Sequence, residues 1–283
     1  MRKAPCESVV RTRAESSIQN AVSPSNQKDV RLRTMKSLWD ELNSKLTVFY
    51  KKGDFKAAFH IAEKALKVAK DNYGAEHPNV ATSLNNLAGI HKAQGDLSEA
   101  ERLYEQAWAL RKRVFGPEHP EVANSLNNLA VLYKAQGDYF ESESMHRQAL
   151  AIREKTLGDD HLDVAVSLNN LAVLYDSWRK MPQAEPLYQR ALTIIEKHHG
   201  SHHPSVATLL NNLAGIYKTQ GLYTQAEPLY QRALDIRQRR YGPRHPSVAT
   251  ILRNLGTLYK RAGLDERAQK YKEKARRIRA NSK

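Results

Sequence analysis

The sequence contains very little cysteine and no long apolar stretch. Cys6 is the single cysteine among 283 residues, so no disulfide can form within the chain, which suits a reducing compartment. No run of roughly 18 apolar residues occurs, and the N-terminus has no apolar core of a secretory signal. We therefore expect a cytoplasmic protein that does not insert into a membrane.

The sequence also lacks the short motifs that accompany common catalytic sites. It has no G-x-x-x-x-G-K-[ST] phosphate loop, no G-x-G-x-x-G dinucleotide turn, no G-x-S-x-G nucleophile elbow and no H-E-x-x-H zinc motif. Its carboxylates are scattered, and none pairs with another beside a plausible apolar pocket. We predict that the chain is not an enzyme, that it needs no cofactor and that it has no small-molecule substrate.

A repeat of 42 residues is the dominant feature of the sequence. Glycines recur at this interval, and a histidine follows each of them three residues later. The glycines are Gly74, Gly116, Gly158, Gly200 and Gly242, and the histidines are His77, His119, His161, His203 and His245. The motif Ser-Leu-Asn-Asn-Leu-Ala, or a relative of it, comes next in every copy. Self-similarity at a fixed period indicates a solenoid of stacked units.

Each unit is predicted to contain two amphipathic helices joined by a short turn. In the first helix, Leu84, Leu87, Ala88 and His91 follow the i, i+3, i+4, i+7 pattern of one helix face. Gly95 then favours a turn, because glycine accepts the left-handed conformation that ends many helices. The predicted fold class is all-α, a right-handed superhelical solenoid of antiparallel helix pairs.

The repeat also sets the expected domain boundaries. Residues 1–32 show no sustained period and are expected to form a disordered basic tail. Residues 33–73 form a degenerate first unit, and complete units follow at 74–115, 116–157, 158–199, 200–241 and 242–283. The last unit ends in a lysine- and arginine-rich helix that is expected to act as a polar cap.

The spacing L-x-x-L-A/G-x-x-Y, followed by G-x-Y-x-x-A-x-x-x-Y-x-x-A-L, resembles the tetratricopeptide repeat. The 42-residue form resembles the repeats of kinesin light chains and nephrocystin-type proteins. The motifs that carry this resemblance are N-N-L-A-x-L-Y, A-E-x-L-Y-x-x-A-L and G-x-x-H-P. This resemblance implies a scaffold or adaptor that binds other proteins, with the cytoskeleton as an expected location. No heptad run precedes the repeats, so association with a motor chain is not implied.

Polar residues at one edge of the first helices form the candidate binding surface. Asparagines recur at one position and lysines recur seven residues later, where they would line a concave surface and bind an extended peptide. The asparagines are Asn85, Asn127, Asn169 and Asn211, with Arg253 in the sixth unit, and the lysines are Lys92, Lys134 and Lys218. The alternative is that the asparagines stitch neighbouring helices together. The second asparagine series, Asn86 to Asn254, favours that stitching role.

The resemblance to kinesin light chains adds arginines on the second helices. It implies that Arg111, Arg153 and Arg237 contact acidic or aromatic residues of a short peptide. Ile195 breaks this arginine series and Asp176 breaks the lysine series, both in the fourth unit. The second, third and fifth units are therefore expected to carry the binding surface.

Two other functions follow from different features of the sequence. The net charge is +15, and residues 1–36 and 264–283 each carry eight lysines and arginines against three acids. Such basic ends could attract nucleic acid without sequence specificity. His198, His199, His202 and His203 lie close together and could hold a metal ion, although His203 belongs to the repeated Gly-x-x-His signature.

Overall fold

The computed structural model describes the backbone of residues 24–280 and the side chains of residues 38–280. Within these residues the chain forms twelve helices and no strand, which confirms the all-α prediction. The helices are α1 Pro24–Lys52, α2 Phe55–Tyr73, α3 Pro78–Gln94, α4 Leu97–Phe115, α5 Pro120–Gln136, α6 Tyr139–Leu157, α7 Leu162–Ser177, α8 Met181–His199, α9 Pro204–Thr219, α10 Tyr223–Tyr241, α11 Pro246–Arg261 and α12 Asp265–Ala280.

The helices pack in sequence as six antiparallel pairs. The two helices of each pair are in extensive contact, and the second helix of each pair also packs on the first helix of the next. In addition α5 approaches α7, α7 approaches α9 and α9 approaches α11. These approaches place the first helices along the inner side of the solenoid, which we call the concave surface.

The first unit begins earlier than the repeat pattern indicates. The helix α1 starts at Pro24, inside the segment 1–32 that was expected to be a disordered tail. The remainder of that predicted tail, residues 1–23, lies outside the described residues.

The repeated histidine precedes and caps the first helix of the second to sixth units. In the third unit the Nδ1 atom of His119 accepts a hydrogen bond of 3.1 Å from the backbone N–H of Glu121. The same ring stacks on Phe115, with 4.5 Å between the ring centroids. The histidine therefore caps one helix and packs against the last residue of the preceding one, which explains why the G-x-x-H spacing recurs.

The turn inside each unit depends on glycine, except in the fourth unit. Gly95 has a φ of 88° and ends α3 in the left-handed conformation. In the fourth unit Arg179 occupies the corresponding conformation with a φ of 62°, in a turn that also contains Trp178. The Trp178 ring stacks on Tyr139 at the start of α6, so this divergent turn packs against the preceding unit.

Small residues set the distance between paired helices. Ala88 and Ala100 are fully buried where α3 crosses α4. In the last unit the approach is closer, because a Cβ added at Gly256 would lie 2.8 Å from Lys272 Cγ and 3.2 Å from the carbonyl oxygen of Ala268. The core is therefore built from interdigitated large and small side chains.

Candidate peptide-binding surface

The two asparagine series meet on the concave surface and bond across units. The Nδ2 of Asn128 donates a hydrogen bond of 2.6 Å to the Oδ1 of Asn85 in the preceding unit. The same contact joins Asn254 to Asn211 at 2.8 Å. The second series therefore stitches neighbouring first helices, while the amides of the first series stay half-exposed at Asn85, Asn169 and Asn211.

Asn127 is an exception to this pattern. Its side chain is 6% exposed, and its Oδ1 accepts a hydrogen bond of 2.7 Å from the Nδ1 of His146. His146 stands where the second and fourth units have Tyr104 and Tyr188. Burial lowers the pKa of His146 to about 4, with a smaller contribution from the positive charge of Lys134. Contrary to expectation, Asn127 is thus not part of the accessible surface, because α6 offers it a buried partner.

The lysines form a row of half-buried cations. Burial lowers the pKa of Lys92, and the neighbouring Lys134 lowers it further. Burial also lowers the pKa of Lys218, although the nearby Asp176 opposes this shift. Among the described side chains, neither Lys92 nor Lys134 forms an ion pair. At Lys92 and Lys134, positive charge is therefore held close together on the concave side without an ion-pairing carboxylate.

Arg111 and Arg153 are buried between units instead of lining the surface. Arg153 is 5% exposed, and its Nη1 donates to the Oγ of Ser167 at 2.7 Å and to the carbonyl oxygen of Asp163 at 2.9 Å. Arg111 is 6% exposed and donates in the same way to Ser125 at 2.9 Å. Burial lowers the pKa of both guanidinium groups. These two arginines were expected to contact a peptide. Instead they lie beneath the first helix of the following unit, where a serine hydroxyl accepts a hydrogen bond from each of them.

The remaining member of the arginine series, Arg237, lacks that serine. Arg237 faces Ile251 at the equivalent position, stays half-exposed and donates to the Oγ1 of Thr208 at 2.6 Å. Arg253 is exposed. In the fourth unit Ile195 meets Leu209, so an apolar pair replaces the arginine–serine contact. Aligning the serine positions with the arginine positions would have revealed this exchange from the sequence.

A small cleft lies where Ile195 meets Leu209, beside Asn169. The cleft has a volume of about 180 Å³ and is lined by Val166, Asn169, Ile195, Thr208 and Leu209, together with Ala165 and Ser205. A related cleft of about 210 Å³ lies one unit further along, with Asn211 and Arg237 in its wall. The concave surface therefore combines amides, unpaired lysines and two clefts with apolar walls.

The histidines that could have bound a metal have other contacts. His199 stacks on His203 with 4.4 Å between ring centroids, and the Nδ1 of His203 caps the N–H of Ser205. His198 lies 2.7 Å from the carbonyl oxygen of Asp160 through its Nε2. No group of three or more potential metal ligands occurs among the described residues. Likewise, no described helix has the length and apolar character needed to span a bilayer.

Family models described as tetratricopeptide repeat match most of the sequence. One model matches residues 121–197, 179–223 and 205–281, and a second matches residues 47–79 and 80–121. These ranges coincide with the helix pairs from the end of α1 to α12. No curated protein shows a significant match to the chain.

Solved structures share the same architecture. The chain is similar to BtubC (BKLC) from P. vanneervenii, with 23% identity, 90% and 92% coverage of the two chains and a TM-score of 0.65. It is also similar to the nearly identical TPR-like repeats of a putative kinesin light chain from Podosopora anserina, with 29% identity, 74% and 99% coverage and a TM-score of 0.63. The pilF structure from Pseudomonas aeruginosa, at 18% identity and a TM-score of 0.58, covers 87% of this chain and 93% of its own.

Proposed function

Because the chain belongs to the tetratricopeptide repeat family, whose members are generally non-catalytic scaffolds for protein binding, we propose that its concave surface captures a short acidic segment of a partner protein. In this proposal the protein is an adaptor and not an enzyme. The cytoplasmic location expected from the sequence belongs to the same proposal. The observation that carries it is the row of half-buried lysines with no acidic partner at Lys92 and Lys134.

Unpaired cations in a partly desolvated row favour an anionic ligand. Lys92 loses part of its hydration through burial and is also repelled by Lys134. A carboxylate placed between these two side chains would relieve both costs and form charge-assisted hydrogen bonds. The half-exposed amides of Asn85, Asn169 and Asn211 can donate to the backbone of an extended peptide, while their Oδ1 atoms already accept from the second asparagine series.

The cleft beside Ile195 favours an apolar side chain within the same segment. It is lined by residues of the fourth and fifth units, and the fourth is the only complete unit that lacks the lysine. With an aliphatic or aromatic side chain seated there, the acidic residues of an extended segment would reach along the first helices toward the lysines of the third and fifth units. The proposed ligand is therefore an acidic segment with one apolar residue near its centre.

The test is binding of a fluorescein-labelled peptide that has one central tryptophan flanked by glutamates. We expect Lys134→Glu with Lys218→Glu to weaken binding about tenfold, because two favourable contacts become repulsive. A Lys134→Gln and Lys218→Gln variant removes the charge without reversing it and should give an intermediate loss. The matched control is Lys52→Glu with Lys56→Glu, which makes the same charge change at exposed positions of the first unit.

Fluorescence anisotropy measures the affinity, and circular dichroism verifies that each variant is folded. Equal affinity of the wild type and the folded Lys134 and Lys218 variants would show that the concave assignment is wrong. A labelled single-stranded RNA tests the nucleic-acid alternative from the sequence. Tighter binding of RNA than peptide, with a steep loss between about 50 and 200 mM salt, would favour that alternative.

A further inference from the structure

An open cleft lies at the C-terminal end of the solenoid, on the side of the second helices. It has a volume of about 570 Å³ and is enclosed by α10, α11 and α12. Leu234, Leu252, Tyr271 and Ile278 line it with apolar surface. The other lining residues are Pro243 and the polar or charged Gln238, Arg244, Lys274 and Arg277. We call this site the C-terminal cleft; it lies away from the asparagines of the concave surface.

The equivalent cleft in the fourth unit, of about 670 Å³, has its charged lining residues joined by ion pairs. There Arg190 contacts Glu154 at 2.5 Å and Asp159 at 3.7 Å, and Lys197 pairs with Asp160. In the fifth unit Arg232 pairs with Glu196 in the same position. The acids come from the end of the preceding second helix and from the loop before the first helix. Internal interfaces on this side of the solenoid are therefore neutralised within the chain.

The last unit keeps the cations and loses the acids. Gln238 stands where the earlier units have Glu154 and Glu196, and Arg244 stands where the fourth unit has Asp160. Lys274 replaces Arg190, and Arg277 adds another charge on the same helix. No ion pair of Arg244, Lys274 or Arg277 occurs with any described side chain, and the ammonium of Lys274 lies 5.9 Å from the ring centroid of Tyr271.

We propose that the C-terminal cleft binds an acidic segment of a partner protein that carries a bulky apolar side chain between its carboxylates. The apolar side chain would cover Leu234 and Leu252, and the carboxylates would take the places of the missing glutamate and aspartates. Three cations around an apolar floor match such a segment in both charge and shape. A nucleic-acid backbone would gain little from the leucine and isoleucine surface, since phosphate contacts need only the cations.

The test uses a fluorescein-labelled peptide with one central leucine flanked by glutamates. Lys274→Glu with Arg277→Glu is expected to weaken binding about tenfold. The control, Arg276→Glu with Arg279→Glu, makes the same charge change at exposed positions of α12 that do not line the cleft, and affinity should stay within about twofold. Replacing the central leucine of the peptide by serine should weaken binding about tenfold, because the apolar contact is lost.

Several results would overturn this proposal. One is equal weakening by the two pairs of α12 substitutions, which would indicate general attraction to a basic end. Another is an unchanged affinity of the serine peptide, or displacement of the peptide by single-stranded RNA at a lower concentration than by unlabelled peptide. Loss of binding only in the Lys134 and Lys218 variant would assign the peptide to the concave surface alone. That last result would support the proposed function and reject peptide binding at the C-terminal cleft. The two proposals can therefore fail separately.

Discussion

Replacing Arg153 by isoleucine tests how the units are joined. The Arg153 guanidinium lies under α7 and donates to Ser167, to the carbonyl oxygen of Asp163 and to the Oδ1 of Asn124 at 2.5 Å. These contacts connect three consecutive helices through a single side chain. One unit further along, isoleucine is the natural residue at this position, so the substitution has a precedent within the chain.

The expected cost is about 2 kcal/mol of unfolding free energy. Hydrogen bonds from a charged donor contribute about 1.5–3 kcal/mol each, but burial of the charge offsets much of that gain. The offset is visible in the lowered pKa of Arg153 and in its Nε, which is buried without a partner. The substitution leaves the Oγ of Ser167 with the weaker bond from Asn127 at 3.4 Å.

A second substitution should restore most of the lost stability. The fourth-unit precedent pairs Ile195 with Leu209, which occupies the position of Ser167. We therefore expect Ser167→Leu to destabilise the wild type and to stabilise the Arg153→Ile variant. The coupling free energy of the double-mutant cycle should be about 1–3 kcal/mol.

Equilibrium urea denaturation, followed by circular dichroism, measures these differences. Hydrogen exchange localises them, and faster exchange should be confined to α5, α6 and α7 because units of a solenoid interact mainly with their neighbours. The matched control is Arg237→Ile, which loses one bond at a half-exposed position and should cost under about 1 kcal/mol. Equal costs at Arg153 and Arg237, or purely additive effects in the cycle, would refute the reasoning.

Three further predictions concern stability. Replacing His119 by alanine should cost about 1 kcal/mol in urea denaturation, because the cap of α5 is lost. The pKa of His146 is about 4 in the folded chain and 6.5 in the unfolded reference state, so between these pH values the unfolded chain binds one more proton. The free energy of unfolding should therefore fall by up to about 3 kcal/mol as the pH drops from 6.5 to 4. His146→Tyr should remove this loss. Gly256→Ala should lower the melting temperature because its Cβ meets backbone at 3.2 Å, whereas Gly89→Ala, whose Cβ has an ordinary 3.6 Å contact, should be neutral or stabilising.

The binding-site prediction depended on distinguishing exposed from buried members of one series. Arg111, Arg153 and Arg237 occupy equivalent positions in helices of similar sequence. The first two are buried and the third is half-exposed, because only the first two meet a serine on the next helix. Helical periodicity assigns a residue to a face, but the partner across the interface decides whether its polar group remains available.

By itself the sequence determined the repeat, the helix pairs and their caps, because each depends on local spacing within one unit. Only the tertiary structure decided which asparagines a ligand can reach. The hexapeptide Ser-Leu-Asn-Asn-Leu-Ala is identical in the second, third and fourth units, yet Asn127 is buried while Asn85 and Asn169 are half-exposed. The physical reason is that His146 on α6 supplies a buried hydrogen-bond donor in the third unit, a contact made between helices that the hexapeptide cannot encode.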